Sequence, residues 1–315
     1  MAVERINDEH LIDLFKDDCH IRALSKHTIE SYISTLRIFS KFLKERGYTL
    51  LTVDREIIKD YVSYLRNEGK EQKTIENRFS TFSSLYDYAV YEDFLEKNIV
   101  NDIRKRYLKQ YKENKNNGSQ RKLVTIEQMA HFFEIILDIR MKAIAVLFAK
   151  TGIRRRELVA IDLNDINWDN MSILLKPTRK RSNRIVFFDY ECALVLKQWL
   201  QKREHHADPE NKALFVSYTD RKGRLNRNGV GYDFVRWATI AGLHDLASDR
   251  IEDKFTPHCC RHWNNTHLRR AGMPFEFIKW LRGDALTDVL DVYNHIDPED
   301  VRKSYLACIP KLRIM

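Results

Sequence analysis

Apolar positions recur at helical spacing along most of this chain, and four such stripes follow one another between positions 9 and 112. The first covers His10 to Cys19. The second opens at Ser25, a residue type that caps helix starts, and runs through Thr28, Tyr32, Leu36, Phe39, Phe42 and Leu43. Asp54 opens a third through Ile57, Ile58, Tyr61, Val62 and Leu65, which Gly69 stops. The fourth carries Thr74, Ile75, Phe79, Phe82, Leu85 and Tyr86 and continues to Phe94. Stripes of this kind predict helices that share one core. Their outer faces hold cations, among them Lys26, Lys41, Lys44, Lys73 and Arg78.

The periodicity lapses from Asn114 to Gln120, a polar stretch flanked by basic residues and containing Asn-Asn-Gly-Ser. Residues 1–113 are therefore expected to form one helical domain, 114–121 a mobile connector, and 122–315 a second domain. In the second domain Thr125 caps a helix, and Ile139 to Lys150 forms a strongly apolar one that Gly152 ends. Arg154 opens the next helix, which carries Glu157 and Leu158 towards Leu163. Met171–Leu175, Arg184–Phe188 and Leu214–Ser217 read as short strands, and Tyr190–Arg203 and Asn228–Ala241 as helices. The hairpin tip between the first two strands has four basic residues, Lys176, Arg179, Lys180 and Arg181, and no acid. Arg221, Lys222, Arg224 and Arg227 form a second basic loop. The expected fold class is mainly α (α+β), with a small antiparallel β-sheet in the second domain.

Composition narrows the partners. A chain of 315 residues allows two domains with ample core. The net charge of +9 points to a polyanion. No apolar run approaches the length of a membrane span, and the N-terminus lacks the apolar core of a signal peptide. The five cysteines are odd in number and scattered, as expected for reduced thiols of a cytoplasmic protein.

The candidate chemistry lies between Thr256 and His295. Pro257 suits the first turn of a helix, and Gly272 stands past its end. On that helix His258, Arg261 and His262 are spaced i, i+3, i+4, which puts two imidazoles and a guanidinium on one face. A short helix follows from Pro274 to Gly283, and a third carries Asp288 to Tyr293. Fixed Arg and His donors suit an in-line displacement at a phosphodiester, whose charge gathers on the non-bridging oxygens. A tyrosine phenol is a fitting nucleophile once that charge is neutralised. Cys259 and Cys260 diverge by about 100° on a helix and make a poor tetrahedral zinc site. No acidic pair recurs nearby, so a two-metal mechanism is disfavoured and no cofactor is expected.

These residues resemble a known family. His258-x-x-Arg261-His262, Gly283 in a Leu-x-Gly turn and Tyr293 ten residues on resemble the second motif box of the tyrosine recombinases, the phage integrase and Xer family. Thr151-Gly152-Ile153-Arg154-Arg155-Arg156-Glu157-Leu158 is similar to the first box. Ser25-Lys26-His27-Thr28-Ile29-x-x-Tyr32 also resembles the start of the family's core-binding domain. The resemblance implies that Tyr293, rather than Tyr305, is the nucleophile, that Arg154 and Arg261 hold the scissile phosphate, and that His258 is a general acid/base or donor. Glu157 and His262 then support the site. The family protonates the leaving 5′ oxygen from a hairpin lysine, which favours Lys176 over Lys180. Asp284 stands where the family usually has His or Trp, and is placed in the catalytic set as a residue that orients an arginine or His258 or lies out of reach.

The resemblance further implies double-stranded DNA with specific recombination sites as the partner. Lys26, Arg121, Lys122, Arg179 and Arg181 are the expected contacts. It implies a 3′-phosphotyrosyl intermediate, a homo-tetramer on DNA, possible accessory DNA-bending proteins, no membrane partner and a place in the cytoplasm with the nucleoid. A mobile-element or viral integrase is the expected role, with a Xer-like dimer resolvase, a type IB topoisomerase or an inactive DNA-binding relative as alternatives. The tail from Asp297 to Met315 is expected to dock on a neighbouring protomer, so that deleting residues 298–315 weakens tetramers but spares monomer folding.

Overall fold

The computed structural model describes residues 6–108, 121–177, 184–218, 223–284 and 296–314. The chain divides into two compact units, residues 1–117 and 118–315. The expected connector at 114–121 lies almost wholly outside the described residues.

The first unit is helical throughout. It comprises α1 (Asp8–Ile21), α2 (Lys26–Lys44), α3 (Arg55–Asn67), α4 (Gln72–Tyr91) and the short α5 (Ile99–Ile103), which continues as a π-turn to Leu108. Their starts follow from local chemistry. The side chains of Asn7, Ser25 and Asp54 accept the first free amides of α1, α2 and α3. The apolar stripes meet in one core that includes Phe15, Phe39, Tyr61, Phe79, Phe82 and Tyr86. The Phe39 and Phe82 rings stack 4.4 Å apart. Lys26 remains on the surface beside Glu30.

The second unit wraps helices around one nearly all-apolar helix. Its elements are α6 (Ile126–Ile135), α7 (Ile139–Thr151), α8 (Arg155–Ala160), β1 (Ile166–Asn167), β2 (Ser172–Leu175) and β3 (Arg184–Phe187). They continue with α9 (Tyr190–Glu204), α10 (Arg227–Ile240), α11 (Pro257–Arg270), α12 (Phe275–Arg282) and α13 (Pro298–Cys308). A reciprocal capping box between Thr125 and Gln128 starts α6. The three strands form an antiparallel sheet in the order β1-β2-β3, with Leu175 paired to Arg184 across the hairpin. The β1 pairing was not expected, because two residues are too short a run to show alternation.

Two expectations are corrected. Leu214–Ser217 is not a strand: Ala213 and Val216 make only isolated bridges, to Asp162 and Arg224. The run is apolar because all of Ala213 to Val216 is buried, which sequence alone cannot tell from a strand. The C-terminal segment, in turn, packs on its own unit. Val301, Tyr305 and Ile309 are buried with Phe187, Leu268, Met273 and Ile278. The Tyr305 hydroxyl donates to the Lys150 carbonyl at 2.9 Å. Beyond α13, the Leu312 and Arg313 amides donate to Glu191. Lys150 itself is fully buried, and its ammonium donates to Asp189, Glu191 and the Pro310 carbonyl at 2.6–2.7 Å.

Candidate active site

The site is built where the C-terminus of α7, the start of α8 and the face of α11 converge. The helix α7 ends at Gly152, whose φ of 61° lies in the left-handed region. A side chain there would be strained and would also press on Asn264, whose Oδ1 lies 3.0 Å from where a Cβ would stand. Asn264 uses that proximity to donate to the carbonyls of Ala149 and Lys150, at 2.9 and 2.8 Å. The α7 terminus is thus sewn to α11.

Arg261 completes the seam. It is 5% exposed, and its guanidinium donates to the Gly152 carbonyl at 2.7 Å and to the Arg282 carbonyl at 3.1 Å. Burial, with Arg154 and Arg184 adding positive charge, pushes Arg261 down to about 9. The sequence placed His258, Arg261 and His262 on one face. In the structure both imidazoles are open to solvent, whereas Arg261 turns inward. The rings of His258 and His262 meet edge to face with centroids 4.9 Å apart. Burial, then Arg121, His262, Arg261 and Arg154, push His258 down to about 4. His262 is lowered too, by burial first and then by Arg121 and Arg282.

Arg154 is fixed from the other side. Glu157 accepts the Arg154 backbone amide at 2.7 Å and its guanidinium at 3.3 Å. The same buried carboxylate takes the Arg184 guanidinium at 2.8 Å. Glu157 therefore acts as an anchor between two arginines. Arg154 and His258 share the wall of an open cleft of about 850 Å³, together with Arg121, Arg155, Arg156 and Arg227. Asn228, Gly231, Tyr232 and Thr256 line it as well, and among the described residues none of those lining it is an acid. Among the described residues Arg121, Arg155, Arg156 and Arg227 make no ion pair. Among the described residues the cleft is thus a concentration of guanidinium charge suited to an anion.

Lys176 and Asp284 sit apart from that wall. Lys176 is ion-paired to Asp162 and, at 3.7 Å, to Asp165. Arg224 holds the same Asp162 and also donates to the Val159 and Ile161 carbonyls. Burial would raise Asp162, but the hydrogen bonds from Lys176 and Arg224 outweigh it and hold the carboxyl low. Asp284 follows the left-handed Gly283 that ends α12, and pairs with the Arg282 guanidinium at 3.0 Å. Arg282 is the residue whose carbonyl holds Arg261. Asp284 is thus linked to Arg261 through Arg282. Lys122 is half-buried and Arg121 exposed. Arg179, Lys180, Arg181 and Tyr293 lie outside the described residues.

The profile of the phage integrase family matches residues 123–300, more than half of the chain. The chain belongs to that family. A second profile, the N-terminal SAM-like domain of phage integrases, matches residues 12–93. Among curated relatives, the chain is 26% identical over 309 residues to "Tyrosine recombinase XerC" of Staphylococcus haemolyticus (strain JCSC1435), covering 93% of this chain and 94% of the relative. It is 27% identical over 297 residues to the XerC of Psychromonas ingrahamii, covering 93% of each. The fold is similar to that of the Tn1549 transposon integrase in complex with a circular intermediate DNA, with a TM-score of 0.69, 18% identity and coverage of 93% of this chain and 97% of that one. It is also similar to a lambda integrase tetramer bound to a Holliday junction, with a TM-score of 0.69, 17% identity and coverage of 93% and 78%. The recombinase is a tyrosine site-specific recombinase.

Sequence reasoning missed Arg184. In the sequence it is a basic residue at a strand start. In the recombinase it is buried on Glu157 and close enough to Arg261 to lower it. Its one readable signal was position, because the antiparallel hairpin returns it towards the first motif box.

Proposed function

We propose that the chain cuts and rejoins double-stranded DNA through Tyr293, with the scissile phosphate bound in the cleft of Arg154 and His258, and with Arg261 behind that wall. The observation that carries this reading is the wall of arginines beside His258, on which no acid stands among the described residues. Tyr293 Oη attacks phosphorus, the bond from phosphorus to the 5′ oxygen breaks, and a 3′-phosphotyrosyl ester and a 5′ hydroxyl result. The guanidiniums of Arg154 and Arg261 hold the charge that develops on the non-bridging oxygens. His258, neutral in the free protein, accepts the phenol proton or donates to the same phosphate. A 5′ hydroxyl of a second duplex reverses the step, so bond energy stays in the ester and no cofactor is consumed.

The leaving oxygen takes its proton from Lys176 or Lys180. In the free protein Lys176 is paired with the carboxylates of Asp162 and Asp165, so it must leave them to reach the leaving oxygen. A substrate with sulfur at the bridging 5′ position separates the two, since a thiolate leaves without a proton. The true donor is the lysine whose alanine variant that substrate rescues. In this reading residues 1–113 form the core-binding domain, and Lys26, Lys122, Arg179 and Arg181 contact the duplex. Four protomers assemble on two duplexes, and accessory DNA-bending proteins join them where the site is bent. Integration and excision of a mobile element is the proposed role. A Xer-like role in resolving dimers is the second reading, favoured by the full-length match to XerC proteins.

The test traps the ester on nicked duplexes taken from sequence flanking the gene, in EDTA, with wild type beside Tyr293→Phe. A denaturant-stable protein–DNA band that disappears in the variant is expected. A band that survives Tyr293→Phe overturns the nucleophile, and binding with no band in the wild type overturns the activity.

A further inference from the structure

Gly231 lies in the interior of α10, where glycine is a poor helix former. Its backbone does not explain the choice, since its φ is not among the positive values of the chain. The explanation lies in what rests on it. A Cβ built at Gly231 would stand 2.3 Å from Nη1 of Arg155, with the guanidinium carbon at 3.5 Å and Cδ at 3.9 Å. The Arg155 side chain crosses from the first turn of α8 and lies against the bare helix backbone, and any larger residue at 231 evicts it.

We infer that Gly231 is a positioning residue that seats Arg155, and that Arg155 in this seat binds a DNA phosphate next to the one that is cut. The inference rests on the recombinase reading of the same cleft. Arg155 and Gly231 both line that cleft beside Arg154, and Arg227 stands one turn earlier on the same face of α10. Among the described residues Arg155 makes no ion pair or hydrogen bond, so its charge is available to a ligand. Guanidiniums that line one cleft repel one another, and an anion entering it relieves that repulsion. Nucleic acid supplies anions in series, one per roughly 3.4 Å of axis on each strand, so a strand with one phosphate at Arg154 brings its neighbours to the same wall. The residue after the motif arginine thereby acquires a task that its place in the sequence does not reveal.

The atom in conflict with a Cβ is the far end of a flexible side chain, so Gly231→Ala displaces the guanidinium without distorting the fold. That makes it a clean probe, since alanine is also the better helix former. Affinity of the full-length protein for a duplex carrying its site is measured across a salt series, for wild type, Gly231→Ala, Arg155→Gln and the double variant. Melting temperature is recorded alongside. The expected result is an unlowered melting temperature for Gly231→Ala, an affinity about five- to tenfold weaker, and a salt slope smaller by about one. Arg155→Gln should match it, and the double variant should be no weaker than either single one. Wild-type affinity and slope in Gly231→Ala, or additive losses in the double variant, overturn the proposal while the recombinase reading stands. A wild-type protein that neither binds DNA nor forms the adduct overturns both.

Discussion

At the scale of single residues, the site is organised by which polar groups are anchored and which are left open. Arg261 spends its donors on two backbone carbonyls, whereas His258 faces solvent with its ring neutral. The shift in His258 has a consequence for stability. Its folded value of about 4 lies below the roughly 6.5 of a free histidine, so the unfolded chain binds the proton more readily. The contribution of His258 is complete above about pH 6.5 and is lost as pH falls from there towards 4. Urea midpoints at pH 7 and pH 5 should therefore separate less in His258→Gln than in wild type. Equal separations would mean that the imbalance lies elsewhere. Bound DNA changes the sign of the local field, so the same imidazole should titrate higher in the complex, as read by NMR of labelled histidine. An unchanged value would place the ring away from the phosphate. The motif spacing made Arg154, His258 and Arg261 legible in the sequence. Arg184 and Gly231 were not legible, because their partners, Glu157 and Arg155, are met only once the chain is folded.

Among elements, α7 is the axis. Its apolar run and its terminating Gly152 could be read directly, as could the Thr125 box and the Pro257 start of α11. Lys150 could not. In sequence it is an ordinary cation at a helix C-terminus, and only folding brings Asp189, Glu191 and the Pro310 carbonyl around it. Lys150→Met should cost about 3–5 kcal/mol, since it leaves the buried Asp189 without its cation. Chemical denaturation measures this, and a loss below about 1 kcal/mol would show that Asp189 is relieved by protonation or by Lys311, which lies 3.8 Å from it. The hairpin illustrates the opposite limit. Its strands could be read as short apolar runs, yet the side-chain destination of Lys176 depended on the turn after α8, which no local pattern announces.

For the whole molecule, the fold class and the two helical regions follow from periodicity, but the fate of the C-terminus does not. An amphipathic tail looks the same whether its apolar face meets its own core or a neighbour's. Here Val301, Tyr305, Ile309 and Leu312 are all buried within their own unit. At about 1.5–3 kcal/mol each, their loss amounts to roughly 6 kcal/mol or more, comparable with the entire stability of a domain. Deleting residues 298–315 should therefore leave the second unit unfolded or aggregated, as followed by circular dichroism and sedimentation. A soluble, cooperative truncation would show the tail to be dispensable. The acid-free cleft, finally, decides how the protein must be handled. A wall of guanidiniums does not distinguish a backbone phosphate from an inorganic tetrahedral anion. Phosphate and sulfate should therefore compete with DNA for this cleft, and at equal ionic strength DNA affinity should be lower in phosphate than in chloride.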